Sequence, residues 1–399
     1  MELNSRFIAR QAILDRQSQC VGYELLYRDS DTDQARFTNA GQASMQVFDS
    51  AHLFGFEALC GGVKAFVNCS RDVLTSDFVN VLQPNRTVLE IPASIVADPD
   101  ILAVCQRLMN TGYLLALDHY ELGATSEALL PMVHIVKVLI SNASPELVNH
   151  VAEKARPGTK LLAEHVENES EASVARALGF DYFQGFYFCT PQVMATKELS
   201  PSRINSLRLL QATVNEELKF ADLEAIIKED AALCYRLLRF INSVEFCLRS
   251  NVQSIRHALA LLGERATRRW ALLTGTVMAA DDKPRELLRC ALLRAKLLEL
   301  IAPLAECGEY EGFLVGLLSL MAVILDTPGI AVQLELPVTV GAALAGKDVR
   351  LRRLLEVAVS YERSEWEKCE SLAQGLNLSE AELSKAYVQA IGWLSKIPL

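Results

Sequence analysis

Polar side chains stand at or near the ends of several apolar runs in the first half of this chain. They carry groups that bind cations or move protons. Each run has the length and composition of a buried parallel strand. Carboxylate and amide oxygens are hard ligands that suit hard cations. In chain order these residues are Glu24, Asn68, Glu90, Asp118, Lys137, Glu164 and Gln184.

The elements that must hold these residues alternate between strand-like and helical segments from about residue 6 to residue 190. The apolar runs are separated by stretches with helical periodicity, such as Asp98–Asn110 and Ser170–Leu178. This alternation predicts a mostly parallel sheet, and many units in one run favour a closed barrel. The C-terminal strand ends of such a barrel meet on one face, where barrels of this kind build their sites.

The second half of the chain has a different pattern. Strand signals disappear after Thr190–Arg203, a segment with two prolines and several polar residues that indicates a linker. Helical periodicity dominates from there to the end. The predicted fold class is therefore α/β plus all-α, with a (β/α) barrel over 1–195, a linker over 196–203 and a helical domain over 204–399.

The composition is that of a soluble globular protein, with 51% hydrophobic and 22% charged residues. A net charge of −10 argues against nucleic-acid binding through a basic surface. The ten cysteines show no CxxC spacing, which favours reduced thiols and a cytoplasmic location. The longest apolar run, Phe313–Leu325, is too short to span a membrane.

The motifs around the polar residues resemble those of the EAL domain, the bacterial cyclic-di-GMP phosphodiesterase fold. The Glu-Ala-Leu signature is matched by Glu24-Leu25-Leu26, and the A-E-G-V-E motif by residues 163–167. Further motif positions follow in the family's order at Asn68, Glu90, Asp118, Lys137 and the Gln184-Gly185-Phe186 run. The second half resembles the HDOD domain at YRLLRFINSVEF and at SIRHALALLG (254–263), and the pairing resembles YuxH-type signalling proteins.

The resemblance implies a phosphodiesterase site with two divalent ions, Mg²⁺ or Mn²⁺. The first metal would be held by Glu24, Asn68, Glu90 and Asp118, and Asp118 would bridge to the second. The implied catalytic residues are Glu24, Lys137, Glu164 and Glu167. Cyclic-di-GMP would be bound by Gln11, Arg28 and Gln184, with the Arg28 guanidinium on a phosphate.

The chain departs from the family pattern at positions that matter for the second metal. His119 stands where the family has a second Asp, and Leu139 replaces the Asp of the K-I-D motif. Tyr120-Glu121-Leu122 replaces the Phe-Gly loop. An imidazole suits Mn²⁺ or Zn²⁺ better than Mg²⁺, so His119 is itself a candidate metal ligand. Each lost ligand is expected to cost roughly 10–100-fold or more.

We therefore expect a degenerate EAL domain of the cyclic-di-GMP network that binds nucleotide, protein or both with little or no hydrolysis. The alternative is an active metal-dependent phosphodiesterase that produces pGpG. The second half contains a single histidine, His257, and no His-Asp pair. It therefore lacks the metal site of an HD phosphohydrolase and is expected to bind protein partners. The sequence leaves a homodimer open.

Overall fold

A computed structural model gives the fold of the chain over most of its length. The residues that it describes are 7–28, 59–76, 79, 82–187, 201–214, 219–241, 252, 254–280, 283–325, 336–347 and 349–397.

Eight strands close into a barrel in the order in which they occur along the chain. Strand β1 is antiparallel to both of its neighbours, β2 and β8, and all other neighbouring strands are parallel. The strands are β1 (Phe7–Asp15), β2 (Cys20–Arg28), β3 (Lys64–Asn68), β4 (Thr87–Pro92), β5 (Leu114–Asp118), β6 (Ile135–Leu139), β7 (Lys160–Glu164) and β8 (Tyr182–Gln184).

Helices with well-marked starts connect the parallel strands. The side chains of Asp98, Ser144 and Asn168 each accept a hydrogen bond from a backbone N–H three residues on, which starts the following helix. The helices are α1 (Arg71–Thr75), α2 (Pro99–Asn110), α3 (Pro145–Lys154) and α4 (Glu169–Ala177). Short 3₁₀ turns occupy Pro84–Arg86, Glu127–Met132 and Ile140–Asn142.

The barrel interior is layered. A lower layer of inward-facing side chains is apolar and consists of Ile13, Phe66, Val88, Ala116, Ile135 and Leu162. Because strand side chains alternate between faces, the next inward residue along each parallel strand lies nearer its C-terminal end. On β3 to β7 those next residues are the polar ones picked out from the sequence, so the apolar layer forms the floor beneath them.

Helices alone make up the described part of the second half. They are α5 (Pro201–Val214), α6 (Phe220–Glu229), α7 (Ala231–Ile241), α8 (Ile255–Ala279), α9 (Arg285–Ile301), α10 (Glu309–Leu318), α11 (Met321–Ile324), α12 (Val338–Leu344), α13 (Arg350–Glu362), α14 (Trp366–Gln374) and α15 (Glu380–Leu394). A 3₁₀ turn spans Pro303–Ala305, and α8 is kinked at Gly263, whose φ is 71°.

The helical half packs directly on the barrel. Strands β1 and β2 are joined by a short turn at 16–19, and helices α13 and α15 pack against β1. Leu25 of β2 belongs to the same buried apolar cluster as Leu287 of α9 and Tyr387 of α15. The barrel core and the helical core are therefore continuous at this face.

The structure confirms the α/β-plus-all-α class and the mostly parallel barrel, but the antiparallel strand β1 was not foreseen. Of the predicted linker, residues 196–200 lie outside the described residues and 201–203 begin α5. The exact division of the chain stays a prediction. None of the described helices is both long and apolar enough to cross a membrane.

Gly22 tests the packing of the barrel floor. A Cβ added at Gly22 would lie 2.5 Å from the Phe66 ring and 2.8 Å from the backbone oxygen of Lys64. We expect Gly22→Ala to lower the free energy of unfolding by about 1–3 kcal/mol, measured by urea denaturation. Gly392→Ala in α15 is the control, since nothing lies within 4 Å of its added Cβ. That change should stabilise by about 0.5–1 kcal/mol, and equal effects at both positions would contradict the packing argument.

Candidate metal and ligand site

The polar residues predicted from the apolar runs converge inside the C-terminal end of the barrel. Each strand from β2 to β8 contributes one of them, and Gln11 of β1 joins them from the antiparallel side. They are largely buried, with Glu90 and Lys137 fully so. The structure therefore brings together Gln11, Glu24, Asn68, Glu90, Asp118, Lys137, Glu164 and Gln184.

Lys137 lies at the centre of this cluster. Its side chain projects from the middle of β6 and is completely buried. The ammonium nitrogen lies within hydrogen-bonding distance of four carboxylates on four different strands. Its Nζ–O distances are 2.6 Å to Glu90, 2.9 Å to Asp118, 3.0 Å to Glu24 and 3.1 Å to Glu164.

Glu24 is oriented by amide groups as well as by the ammonium. The Asn68 amide donates to Glu24 Oε1 at 2.9 Å, and the Gln184 amide donates to Glu24 Oε2 at 2.6 Å. The same Gln184 amide nitrogen also donates to Gln11 Oε1 at 2.9 Å. Strands β1, β2, β3 and β8 are thus tied together around one carboxylate.

His119 lies at the exposed edge of the cluster beside Asp118 and Glu164, and we call this edge the rim. It follows the last residue of β5 and has a φ of 52°, a left-handed conformation that is uncommon for a residue with a side chain. Its Nδ1 lies 3.1 Å from Asp118 Oδ2 and its Nε2 lies 3.9 Å from Glu164 Oε1. Among the described residues, Asp118, His119 and Glu164 place one ligand atom each close enough together to share a metal ion.

The buried charges shift one another's protonation. Burial and the nearby Glu24 raise the pKa of Glu90 well above its usual value, and burial raises the pKa of Glu164 to about 7. Burial also acts against the charges of Asp118 and Lys137, but attraction between opposite charges prevails. The Lys137 ammonium and the His119 hydrogen bond lower the pKa of Asp118, and the surrounding carboxylates, Glu24 first, raise the pKa of Lys137. The hydrogen bond to Asp118 raises the pKa of His119 to about 9.

Unpaired acceptors show that the site suits a further cation. Among the described residues, Glu90 Oε2, Glu164 Oε2 and Gln184 Oε1 are buried without a hydrogen-bond partner. Buried acceptors are rarely left unpaired in folded proteins. A single ammonium cannot satisfy four carboxylates, whereas a divalent ion with oxygen ligands could take up the remaining lone pairs.

Gly185 fixes the turn that follows Gln184. Its φ is 151°, and a Cβ built on it would lie 2.2 Å from the backbone oxygen of Val166. The backbone of Tyr187 donates to that same oxygen at 2.9 Å. Only glycine allows this close approach, which holds the end of β8 against the segment after β7.

Two of the predicted site residues, Glu167 and Arg28, are not among those that the described structure brings into the cluster. Glu167 is exposed, and its backbone N–H donates to Glu171 at 2.6 Å at the start of α4. No contact among the described residues links Glu167 to Lys137. Arg28 ends β2, but its side chain lies outside the described residues. Leu139 follows Lys137 by two residues on β6 and so presents an apolar group on the same inward face.

The two halves of the chain match two different family models. The EAL domain model matches residues 70–191, and the HDOD domain model matches residues 201–325. The chain is 30% identical over 400 residues to the uncharacterized protein YuxH of Bacillus subtilis, a match that covers 97% of each chain. The chain belongs to the YuxH family. In this family member an EAL domain precedes an HDOD domain.

Two further similarities accompany the match to YuxH. The cyclic di-GMP phosphodiesterase CdgJ of Vibrio cholerae is 28% identical over 400 residues, which cover 98% of this chain and 93% of CdgJ. The crystal structure of the EAL domain of Mycobacterium smegmatis DcpA is 23% identical. That match covers 45% of this chain and 90% of the DcpA domain, with a TM-score of 0.38.

Lys137→Met tests the balance of charge in the cluster of this YuxH-family protein. The variant keeps a side chain of similar length but leaves four buried carboxylates without their ammonium. We expect the free energy of unfolding at neutral pH to fall by about 3–5 kcal/mol in urea denaturation.

Lys160→Met is the matched control, because Lys160 forms an exposed ion pair with Asp181 at 2.8 Å. Loss of that pair should cost about 0–1 kcal/mol. Similar losses in the two variants would contradict a central role for the Lys137 ammonium.

Proposed function

We propose that this protein is a cytoplasmic member of the cyclic-di-GMP network whose EAL barrel binds cyclic-di-GMP together with Mg²⁺ or Mn²⁺ and hydrolyses it slowly or not at all. The observation that carries this proposal is the position of His119 beside Asp118 at the rim of the cluster. Where the resemblance implies a second metal-binding carboxylate, the imidazole of His119 instead lies 3.1 Å from Asp118 Oδ2.

The cluster beneath the rim supports cation and ligand binding. The chain keeps Glu24, Asn68, Glu90, Asp118 and Glu164. The four carboxylates surround Lys137, and Asn68 donates to Glu24. The buried acceptors without partners favour a cation there. A full-length relative named as a cyclic di-GMP phosphodiesterase supports the choice of nucleotide.

The rim supports slow turnover. Two divalent ions in such a site would supply an activated water and stabilise the charge of the displacement. The chain offers Asp118 and Glu164 for the second ion, with His119 between them. The imidazole adds neither an oxygen ligand nor a negative charge beside these oxygens, so the affinity for the second ion is reduced. Leu139 supplies no oxygen at the adjacent inward position.

The second candidate function is a working phosphodiesterase that converts cyclic-di-GMP to pGpG. It is favoured by the convergence of Glu24, Asn68, Glu90, Asp118, Lys137, Glu164 and Gln184 within one site. Glu24, Lys137 and Glu164 would then be catalytic, with His119 serving as a Mn²⁺ ligand after losing its proton. Gln11, Gln184 and Arg28 would contact the nucleotide, and Glu167 would have to approach the cluster on binding.

The helical half is proposed to bind protein partners rather than to catalyse a reaction. Its single histidine, His257, is exposed near the start of α8 rather than facing a group of carboxylates. One imidazole cannot build the several-histidine site of a metal phosphohydrolase. A homodimer is one form that such a partnership could take.

Incubation of the purified full-length protein with cyclic-di-GMP and either Mg²⁺ or Mn²⁺ tests this proposal. Binding is followed by calorimetry and pGpG by chromatography. We expect binding with Mn²⁺ and little or no pGpG. Rapid pGpG formation with Mg²⁺ would establish the second candidate instead, and absence of binding with either ion would overturn both.

His119→Asp tests the rim directly. The substitution replaces the imidazole by a carboxylate beside Asp118 and Glu164, so we expect the rate of pGpG formation to rise by about tenfold or more. His165→Asp is the matched control, because His165 also has a left-handed φ, 57°, and also directly follows the last residue of a strand, Glu164. An equal rise in both variants would show a general charge effect and would contradict the proposed role of His119.

A further inference from the structure

Strand β2 contacts the candidate site with its inward face and the helical half with its outward face. Glu24 points inward to Lys137 and Gln184. The adjacent Tyr23 points outward and is buried, with only 2% of its surface exposed. Any displacement of the backbone at Tyr23 therefore reaches the Glu24 carboxylate through a single peptide bond.

A buried hydrogen bond links the outer face of β2 to α9. The Tyr23 hydroxyl donates to Glu286 Oε2 at 2.8 Å, and Glu286 lies in the first turn of α9. The Arg10 guanidinium lies 4.2 Å from the centre of the Tyr23 ring and donates to the Leu59 carbonyl. Arg10 and Glu286 are each 8% exposed, so this contact is shielded from solvent.

A second contact joins the helical half to the end of β8. The Arg363 guanidinium, just after α13, lies 4.9 Å from the centre of the Phe186 ring. Phe186 follows Gln184 by two residues. Helix α13 is itself held to α9, since Arg294 of α9 donates to Glu362 of α13 at 3.0 Å. Strand β2, which carries Glu24, and the segment just after β8, whose Gln184 bonds Glu24, are thus both in contact with α9 or with the residue that follows α13.

We propose that Tyr23 and Glu286 are positioning residues for Glu24, so that the cation affinity of the barrel depends on the placement of α9. This inference rests on the proposed cation binding. The ligands of a cation must be held in place to within a few tenths of an ångström. The buried hydrogen bond from Tyr23 to Glu286 restrains the residue next to Glu24 along β2 and so helps to hold Glu24. A protein partner that displaces α9 would change the cation affinity of the barrel without touching the site.

Tyr23→Phe tests this coupling in the full-length protein. The variant keeps the ring beneath Arg10 and removes only the hydroxyl that reaches Glu286. We expect Mn²⁺ affinity, measured by calorimetry at a temperature where all variants are folded, to fall roughly tenfold. Glu286→Ala should lower the Mn²⁺ affinity to the same extent. Glu286→Gln should keep the wild-type affinity, because its amide oxygen still accepts from the Tyr23 hydroxyl.

Tyr113→Phe is the matched control. Tyr113 is also a buried tyrosine of the barrel, and its hydroxyl donates at 2.7 Å to the backbone oxygens of Val79 and Leu82, away from the helical half. We expect it to lower stability without changing Mn²⁺ affinity. The inference is overturned if both tyrosine variants lose affinity equally, or if Tyr23→Phe binds Mn²⁺ as tightly as the wild type.

Amide hydrogen exchange separates failure of this inference from failure of the proposed function. If the wild type binds no Mn²⁺, the proposed cation site is wrong, and the coupling is judged on exchange alone. Faster exchange at Glu24 and Gln184 in Tyr23→Phe, but not in Tyr113→Phe, would support the positioning role. Unchanged exchange at both residues would overturn it.

Discussion

The structure depends on the containment of four carboxylates inside one barrel mouth. Two unit charges 4 Å apart repel by about 4 kcal/mol even at an effective dielectric constant of 20, so the ionised members of this set need a counter-charge. Lys137 supplies it, and the ammonium is tolerable in the barrel because carboxylates surround it on four strands. The apolar floor, from Ile13 to Leu162, closes the cluster from below.

The same constraint separates cation binding from turnover. An ammonium at the centre neutralises part of the charge but leaves buried acceptors unpaired, and these favour an added cation. At the rim, the His119 imidazole lies 3.1 Å from Asp118 Oδ2, and this contact raises the pKa of the imidazole. A second divalent ion would bind beside this imidazole without the carboxylate that the resemblance implies there.

The sequence predicts the site better than it predicts the surroundings of the site. Polar residues interrupting apolar runs were enough to locate Asp118 or Glu164, because parallel strands bring their C-terminal ends together whatever the connecting helices do. The central place of Lys137 could not be read in the same way, since it follows from distances across the barrel. The antiparallel direction of β1 was not foreseen because the sequence of a strand, FIARQAILD here, carries no sign of its direction in the sheet.

Long-range contacts were beyond the reach of sequence for a different reason. Tyr23 and Glu286 are 263 positions apart, and neither has a motif or a periodicity that points to the other. Their pairing arises because the short turn between β1 and β2 provides no helix to cover that face of the barrel. The helical half supplies the missing layer, and the buried tyrosine hydroxyl then needs an acceptor from it. The helices therefore cover this face of the barrel and contact it at β2, the strand that carries Glu24.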